Sequence, residues 1–334
     1  MMKPRGPSGF LVVDKPEGIT SFDVIRELRR QLKIRKLGHS GVLDKPATGV
    51  LVVGVNQATR LFELFPAFEK EYTADIWLGL STTTDDLTGE LTSVAQNGVI
   101  SRQAIEEALR YYSGTIDQIP PAFSLTKIGG KELYRYALAG ENVEAEPKRV
   151  TVLNNQLIAY EPQKTLPHVP KVKAGEKLEV GNIATLTQIR VFVCCLGGFY
   201  VRSLARDIGA DLGVGGVLGT LVRNRVGPFT LEQALSLNDI ATHASQGNAP
   251  GALLLPLSAV APEETRIPLD ATQLNMVRNG RNIRRFKHAL PPGAQKRGDL
   301  VFGMDPGNDL AAVLTVGTVN QHGLVELKPD KVFI

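Results

Sequence analysis

Apolar residues recur along the chain with two different periods. Gly9–Asp14 (GFLVVD) is a short apolar run that predicts a strand, and Lys15-Pro16-Glu17-Gly18 predicts a turn. Thr20 followed by Asp23 fits a helix-capping box. Ile25, Leu28 and Leu32 then repeat at helical spacing, with Arg26, Arg29, Arg30 and Lys33 on the other face. Gly49–Val55 returns to strand character, and Glu71–Leu80 (EYTADIWLGL) predicts a further strand. The polar stretch Ser81–Gly89 predicts a loop. Ser101 is placed to cap a helix with Ala104, Ile105, Ala108, Leu109 and Tyr112 on one face, and Pro120-Pro121 ends that region. Residues 122–149, rich in Lys, Arg, Tyr and Gly, predict a protruding, partly mobile segment. Gln188–Cys195 alternates, with Ile189, Val191, Val193 and Cys195 on one face. Gly197-Gly198 then turns into a helix striped by Val201, Leu204, Ile208 and Leu212, with Arg202 and Arg206 one turn apart off that stripe.

Strands and helices mix without a regular βαβ period, which argues for an α+β fold with a largely antiparallel central sheet and flanking helices. A composition shift at residues 243–252 (HASQGNAPGA) suggests a boundary. Beyond it Asp299–Met304, Leu310–Val319 and Leu324–Phe333 read as strands of a small β-rich domain. The expected division is residues 1–250, carrying a protruding insertion at about 120–150, and residues 255–334.

At 334 residues the chain is long enough for a sizeable core and two domains. Its longest apolar runs, such as Val50–Val55, fall far short of the roughly 18 residues needed to span a bilayer. The stretch Met1–Gly6 lacks the apolar segment of a leader, so a cytoplasmic location is expected. The only cysteines are the neighbours Cys194 and Cys195. They sit badly for a disulfide with each other and form no CxxC, so no metal site is expected and two small residues in a buried strand are. Net charge is only +4, but residues 1–60 hold 11 Lys/Arg against 5 Asp/Glu. A second basic cluster is Arg278, Arg281, Arg284, Arg285, Lys287 and His288. Two separated patches suit a polyanion lying across the protein, with ordinary solvated faces as the alternative.

Gly38-His39-Ser40-Gly41-Val42-Leu43-Asp44-Lys45-Pro46-Ala47-Thr48-Gly49 puts one His and one Asp in a glycine-rich turn ahead of an apolar strand. Glycine permits close backbone approach to a ligand. A carboxylate held there is a candidate nucleophile or acid–base group, with a turn-capping Asp as the alternative. Gly213–Gly219 misses the dinucleotide spacing and follows a helix, and no phosphate-binding P-loop occurs.

The 38–49 segment resembles the signature G-H-T-G-S-L-D-P-x-A-T-G of the TruB family of pseudouridine synthases. Further matches follow in order. Ala58-Thr59-Arg60 and Lys70-Glu71-Tyr72 resemble the family's A-T-K/R and K-x-Y steps, and Pro120–Lys127 resembles P-P-x-x-S-A-x-K, with Gly130–Ala137 after it. Gly198–Asp207 (GFYVRSLARD) resembles G-T-Y-I-R-T-L-A-x-D, and Leu221–Phe229 resembles L-R-R-T-x-V-G-P-F. The resemblance covers about residues 8–260, and the tail more weakly resembles an RNA-binding domain of the PUA kind. Three departures stand out. Ser40 replaces Thr, Lys45-Pro46 follows Asp44 where the family has Pro directly, and Thr83 takes the first acidic place of T-D-T-x-D-x-x-G, whose second is Asp86.

The resemblance implies a pseudouridine-synthase fold and isomerisation of uridine 55 in the T-loop of tRNA. The N1–C1′ bond breaks, the uracil turns and C5 rejoins the sugar, which requires no cofactor. It implies Asp44 as the essential carboxylate, acting at C1′ or on a sugar proton, and Arg202 as its partner. Tyr72 is implied to stack on the flipped uracil and to help remove the C5 proton. Leu221 is implied to pack on the base, and His39 to take the space of the extruded nucleotide. Asp86 is implied as a substrate-side acid, and Lys127 and Lys131 belong to a thumb that closes on the RNA. The region 81–150 favours a stand-alone type, a monomer without an obligatory protein partner. The rivals are a guide-RNA-dependent relative and a catalytically dead RNA-binding protein.

Overall fold

The computed structural model describes residues 6–95, 100–172 and 185–334; the stretch Met1–Arg5, read above for a leader, lies outside them. The chain opens with strand β1 (Gly9–Lys15), helix α1 (Ser21–Leu32), β2 (Leu37–Ser40) and β3 (Thr48–Val55). The expected capping box starts α1: Thr20 accepts from the Asp23 backbone, and the Asp23 side chain accepts in return from the Thr20 backbone. β1 and β3 pair antiparallel and are buried on both faces, which explains their unbroken apolar runs. Leu11, Val13, Leu51 and Val53 face α1, while Phe10, Val12, Val50 and Val52 face a second core. The segment Asn56–Ala67, for which no element was expected, is a 3₁₀ helix that contributes Ala58, Leu61 and Phe65 to that second core.

The middle of the chain adds β4 (Lys70–Leu78), β5 (Leu80–Thr82), β6 (Leu91–Val94), α2 (Arg102–Tyr111) and β7 (Gly114–Gln118). The strand expected over Glu71–Leu80 is thus split at Gly79, whose φ of 115° turns the chain into β5. A flap follows, made of the hairpin β8 (Lys127–Ile128) and β9 (Lys131–Glu132) and the short helix α3 (Leu133–Leu138). The long strand β10 (Lys148–Thr165) then pairs with β11 (Thr185–Cys195). Helix α4 (Val201–Asp211), β12 (Gly216–Val226), β13 (Phe229–Thr230) and α5 (Leu237–Ser245) complete this part.

Nine strands form one sheet, in the order β1-β3-β12-β4-β11-β10-β7, with β2 on β3 and β13 on β12. Pairing is antiparallel except between β3 and β12, where Thr48 and Gly49 lie beside Val222 and Arg223. The sheet is therefore mixed and largely antiparallel, as the patterning implied. Ile189, Val191, Val193 and Cys195 of β11 join Tyr72, Ala74, Ile76 and Leu78 of β4 in a core covered by α2 and α4. Both cysteines are free and buried in β11.

Helix α4 lies unusually close to the sheet. A Cβ added at Gly209 would meet the Gly215 carbonyl carbon and the Gly216 nitrogen at 2.1 Å each. The Gly213–Gly219 run is thus a packing device. Backbone against backbone fixes the height of α4, and with it the two arginines the helix carries.

The remaining residues build β14 (Arg266–Pro268), α6 (Ala271–Arg278), β15 (Ile283–Phe286), β16 (Leu300–Met304), β17 (Leu310–Val319) and β18 (Leu324–Val332). They form a five-stranded sheet in the order β14-β16-β17-β18-β15. β16 to β18 match the expected strands closely; β14, α6 and β15 were not foreseen. Phe302, Met304, Leu310, Val313 and Phe333 pack into the same core as Phe10, Val12 and Phe65. Arg60 donates to the Val332 carbonyl at 2.7 Å and stands over the Phe333 ring, and Leu255 exchanges backbone hydrogen bonds with Phe10.

Gly209→Ala is expected to destabilise the fold by roughly 3 kcal/mol or more, because the clash is with backbone and cannot be relieved by a rotamer change. Urea unfolding should show a lower midpoint at unchanged slope. A midpoint equal to wild type would show that α4 does not need this contact.

Candidate functional site

The turn between β2 and β3 carries Asp44, and three groups fix it. The Ser21 hydroxyl donates to the Leu43 carbonyl at 3.1 Å and accepts from the Leu43 N–H at 2.9 Å. The Asp44 carbonyl accepts from the Ala47 N–H. From below, the fully buried Lys15 ammonium donates to the carbonyls of Ala47, Pro16 and Lys45 at 2.6, 2.9 and 3.3 Å. Gly49 closes the turn with φ 97°, and a Cβ there would stand 2.4 Å from the Arg223 carbonyl oxygen, so only glycine fits.

Asp44 faces Arg202 across 158 residues of sequence. Arg202 Nη2 donates to Asp44 Oδ1 at 3.2 Å, and Nε lies 2.8 Å from Oδ2. The Nε–H does not point along that second line, so it is an ion-pair contact and not a hydrogen bond. The guanidinium also donates to the carbonyls of Thr84 and Phe123 at 3.2 and 2.9 Å. The Arg202 side chain is 5% exposed and that of Asp44 40%, so the pair presents its carboxylate to solvent and hides its cation. Each guanidinium N–H group used is held by a backbone or carboxylate oxygen, which is how a buried charge is tolerated.

Asp44 opens into a cleft of about 440 Å³. Tyr72, Leu221 and Arg223 form part of its wall with Phe123, Phe199 and Tyr200. The register of β4 against β12 puts Tyr72 opposite Arg223 and Ala74 opposite Leu221. Phe123, Ser124 and Leu125 come from the segment leading into the flap and Tyr134 from its helix α3, so the cleft is walled by the sheet on one side and by these on the other. Leu125 is 54% exposed there. The space, mostly apolar with a few convergent polar groups, suits a planar ring.

The electrostatics are those of buried cations gathered under and beside the cleft. Arg223 is buried, donating from Nε to the Val50 carbonyl and from Nη2 to the Gly41 carbonyl. Burial pushes the Lys15 ammonium down to about 8, against the opposing pull of Asp44. Burial also pushes Lys70 down to about 8, while its ammonium donates to the carbonyls of Phe65 and Phe68 at 2.9 Å each. Burial raises the Tyr72 phenol, with Arg223 pulling the other way, so its hydroxyl stays protonated in the resting cleft. Lys15, Ser21, Lys70 and Arg223 received no role from the sequence. Their signals were the lysine opening a Pro-Gly turn, the serine after Thr20, the lysine of K-x-Y and the arginine of the 221–229 motif.

The other implied residues are spread more widely. His39 sits on β2 opposite Val53, half-buried, and burial followed by the charge of Arg223 lowers its pKa. It does not line the cleft. Asp86 reaches a small recess beside Asp44, but its carboxylate is taken up by its own loop. Oδ1 accepts from the Thr84 hydroxyl and from the Thr88 N–H and hydroxyl, at 2.7, 2.9 and 2.5 Å. Lys127 is exposed on β8, and Lys131 pairs with Glu141 at 3.3 Å and stands 3.9 Å from the centre of the Tyr136 ring. Both lie on the flap, outside the cleft wall. Among the described residues no His, Cys, Asp and Glu cluster could hold a metal ion, and no helix is long and apolar enough to cross a membrane.

Comparison with known proteins identifies the family. Residues 29–176 match the TruB family pseudouridylate synthase N-terminal domain, and residues 202–261 match the tRNA pseudouridylate synthase B C-terminal domain. A protein of Thermobifida fusca (strain YX) described as tRNA pseudouridine synthase B is 41% identical over 286 residues, covering 85% of this chain and 89% of that one. One so described from Lactiplantibacillus plantarum is 37% identical over 277 residues, covering 82% and 83%. Among solved structures, a chain of an H/ACA RNP bound to a substrate RNA containing 2′-deoxyuridine superposes with a TM-score of 0.67 at 20% identity, covering all of this chain and 92% of that one, a likeness of fold. With the Asp44 turn, the Arg202 helix and relatives of this similarity along most of its length, the chain belongs to the TruB family of pseudouridylate synthases.

Proposed function

We propose that this chain isomerises uridine 55 in the T-loop of tRNA to pseudouridine, as a single chain without cofactor. The observation that carries the reading is the Asp44 carboxylate, held by Arg202 at the foot of a ring-sized cleft beside Tyr72 and Leu221. A stacked uridine reaches such a cleft only by flipping out of its loop, which costs a few kcal/mol and is offset by stacking and phosphate contacts. Inside, the Tyr72 ring and the Leu221 side chain flank the uracil. Asp44 then lies by the sugar. Attack at C1′ and removal of a sugar proton both need the carboxylate held in place beside the ribose, and the Arg202 guanidinium holds it. Once N1–C1′ has broken and C5 has bonded to C1′, the C5 proton must leave and N1 must gain one. Because burial keeps the Tyr72 hydroxyl protonated, taking the C5 proton requires it to pass its own proton on in the same step.

On this reading residues 1–250 are the catalytic part, with the flap at 120–150 closing on RNA through Lys127 and Lys131. His39, on β2 behind the Asp44 turn, guards the place the nucleotide leaves. Residues 255–334 add a second RNA contact through the exposed cations Arg278, Arg281 and Lys287.

The direct test is to incubate the purified protein with an unmodified tRNA transcript and map pseudouridine. The expected product is a single pseudouridine at position 55. Asp44→Asn should bind the transcript as well as wild type and turn it over at least about 10⁴-fold more slowly. Retention of more than about a tenth of the wild-type rate would remove Asp44 from the chemistry.

Tyr72→Phe keeps a stacking face, worth roughly 1–3 kcal/mol, and loses the hydroxyl. Affinity should stay near wild type while product formation in a single turnover falls by roughly 10²-fold, the scale of a proton-transfer group. An unchanged rate, together with failure of Tyr72→Leu, would limit Tyr72 to stacking.

Replacing Arg278, Arg281 and Lys287 together by Gln should weaken tRNA binding and leave the bound-state rate intact. Each lost phosphate contact should lower the log–log salt slope by roughly 0.7–0.9. Point changes suit this question better than truncation at 255, which would open the core shared by Phe302, Met304, Leu310 and Phe333 with Phe10. An unaltered slope would mean that this face does not touch RNA.

A further inference from the structure

The loop Thr83–Gly89 departs from its family pattern in having Thr83 at the first acidic place, and carries an acid, Asp85, at a place the pattern leaves open. Asp86 looks inward. Besides the bonds to its carboxylate, its carbonyl accepts from the Thr82 hydroxyl at 2.7 Å. Asp85, next to it, turns the other way, towards helix α4. Its backbone is left-handed at φ 59°, held there by the Leu218 N–H donating to its carbonyl at 2.9 Å, and its carboxylate points at helix α4. Arg206 Nη1 meets that carboxylate at 3.2 Å. The same guanidinium donates from Nε to Asp207 at 2.8 Å and from Nη2 to the Ile119 carbonyl at 2.9 Å.

Arg202 and Arg206 are one turn apart on α4, and they bind the same three pieces of chain. Arg202 joins α4 to the loop at the Thr84 carbonyl and to the 119–124 segment at the Phe123 carbonyl. Arg206 joins α4 to the loop at Asp85 and to that segment at Ile119. The two guanidinium groups are successive rungs of one ladder. The upper rung carries Asp44; the lower one carries no substrate-facing group. Since Thr84 and Asp85 are consecutive, the ion pair at Asp85 sets where the Thr84 carbonyl stands, and that carbonyl is one of the acceptors orienting the Arg202 fork.

We propose that Asp85 and Arg206 are positioning residues that hold the loop against α4 and so aim the Arg202 guanidinium at Asp44, an inference that rests on the reading of Asp44 and Arg202 as the reacting pair. The raised pKa of Asp85, caused by burial and opposed by Arg206 and Arg202, fits a carboxylate kept in place by its partners and shielded from water. The effect is on the geometry of the reacting groups and not on RNA contacts.

The test compares full-length wild type with Asp85→Asn, Arg206→Lys, Arg206→Met and the double variant Asp85→Asn/Arg206→Met. Single-turnover pseudouridine formation, tRNA affinity and urea midpoint are measured for each. Asn matches the carboxylate in size and tolerates left-handed backbone, so Asp85→Asn removes charge without adding strain. Its bound-state rate should fall about tenfold or more, the scale of a sub-ångström misplacement, with affinity within about threefold of wild type. Arg206→Met should be similarly slow, and Arg206→Lys should recover most of that loss. The double variant should be no slower than the slower single one, since both changes break the same contact. A rate for Asp85→Asn within about twofold of wild type, a loss that appears in affinity instead, or losses that multiply in the double variant would each overturn the proposal. Wild-type protein that left the transcript unmodified would remove both this inference and the function it rests on.

Discussion

The site is organised by the problem of keeping buried cations charged around one carboxylate. Arg202 and Arg223 are removed from water in the wall of the cleft, and Lys15 is buried beneath the Asp44 turn. Each is tolerable because it donates to oxygens, most of them backbone carbonyls, although the Arg202 Nε–H only faces Asp44 as an ion-pair contact. The carbonyls must then be where the cations need them, which dictates the paths of the 41–49 turn, the 82–89 loop and the 119–124 segment. The loops of this site are shaped from inside by ammonium and guanidinium groups.

Much of this was legible wherever the chemistry is local. The capping box at Thr20, the helix begun by Ser101 and the alternation of Ile189 to Cys195 depend on neighbours a few positions away, and each appears as expected. The Asp44 turn and the Arg202 helix were legible through the motifs quoted for them, and the structure brings the two side chains together. What could not be read depends on distant partners. Nothing near Lys15 in the chain says that its ammonium will lie under residues 45 and 47, and nothing near Asp85 says that it, and not Asp86, will face an arginine 121 positions on. The 3₁₀ helix at Asn56–Ala67 was missed although its buried residues Ala58, Leu61 and Phe65 recur at i, i+3 and i+7, a helical spacing, with Pro66 near its end.

The C-terminal sheet is joined to the first through shared apolar side chains and through Arg60, which binds the last strand by its guanidinium and by the Phe333 ring. The boundary visible in composition near residue 250 is a change of architecture, but the core runs across it. Motion of one sheet against the other would have to separate packed rings such as Phe10 and Phe65 from Phe302 and Met304. The basic face around Arg278 is thus carried at a set distance from the cleft, as a rigid body would be.

The anchoring of the Asp44 turn also bears on the order in which the protein is made. Ser21 and Lys15 reach it over separations of 22 to 32 residues, so β1, α1, β2 and β3 can gather around the turn from their own stretch of chain. Arg202 lies 158 residues further on. At a synthesis rate of roughly 5–20 residues per second, that is an interval of roughly 8–30 s on the ribosome. For that time Asp44, Ser21 and Lys15 are already made, and the guanidinium that pairs with the carboxylate has not yet been translated.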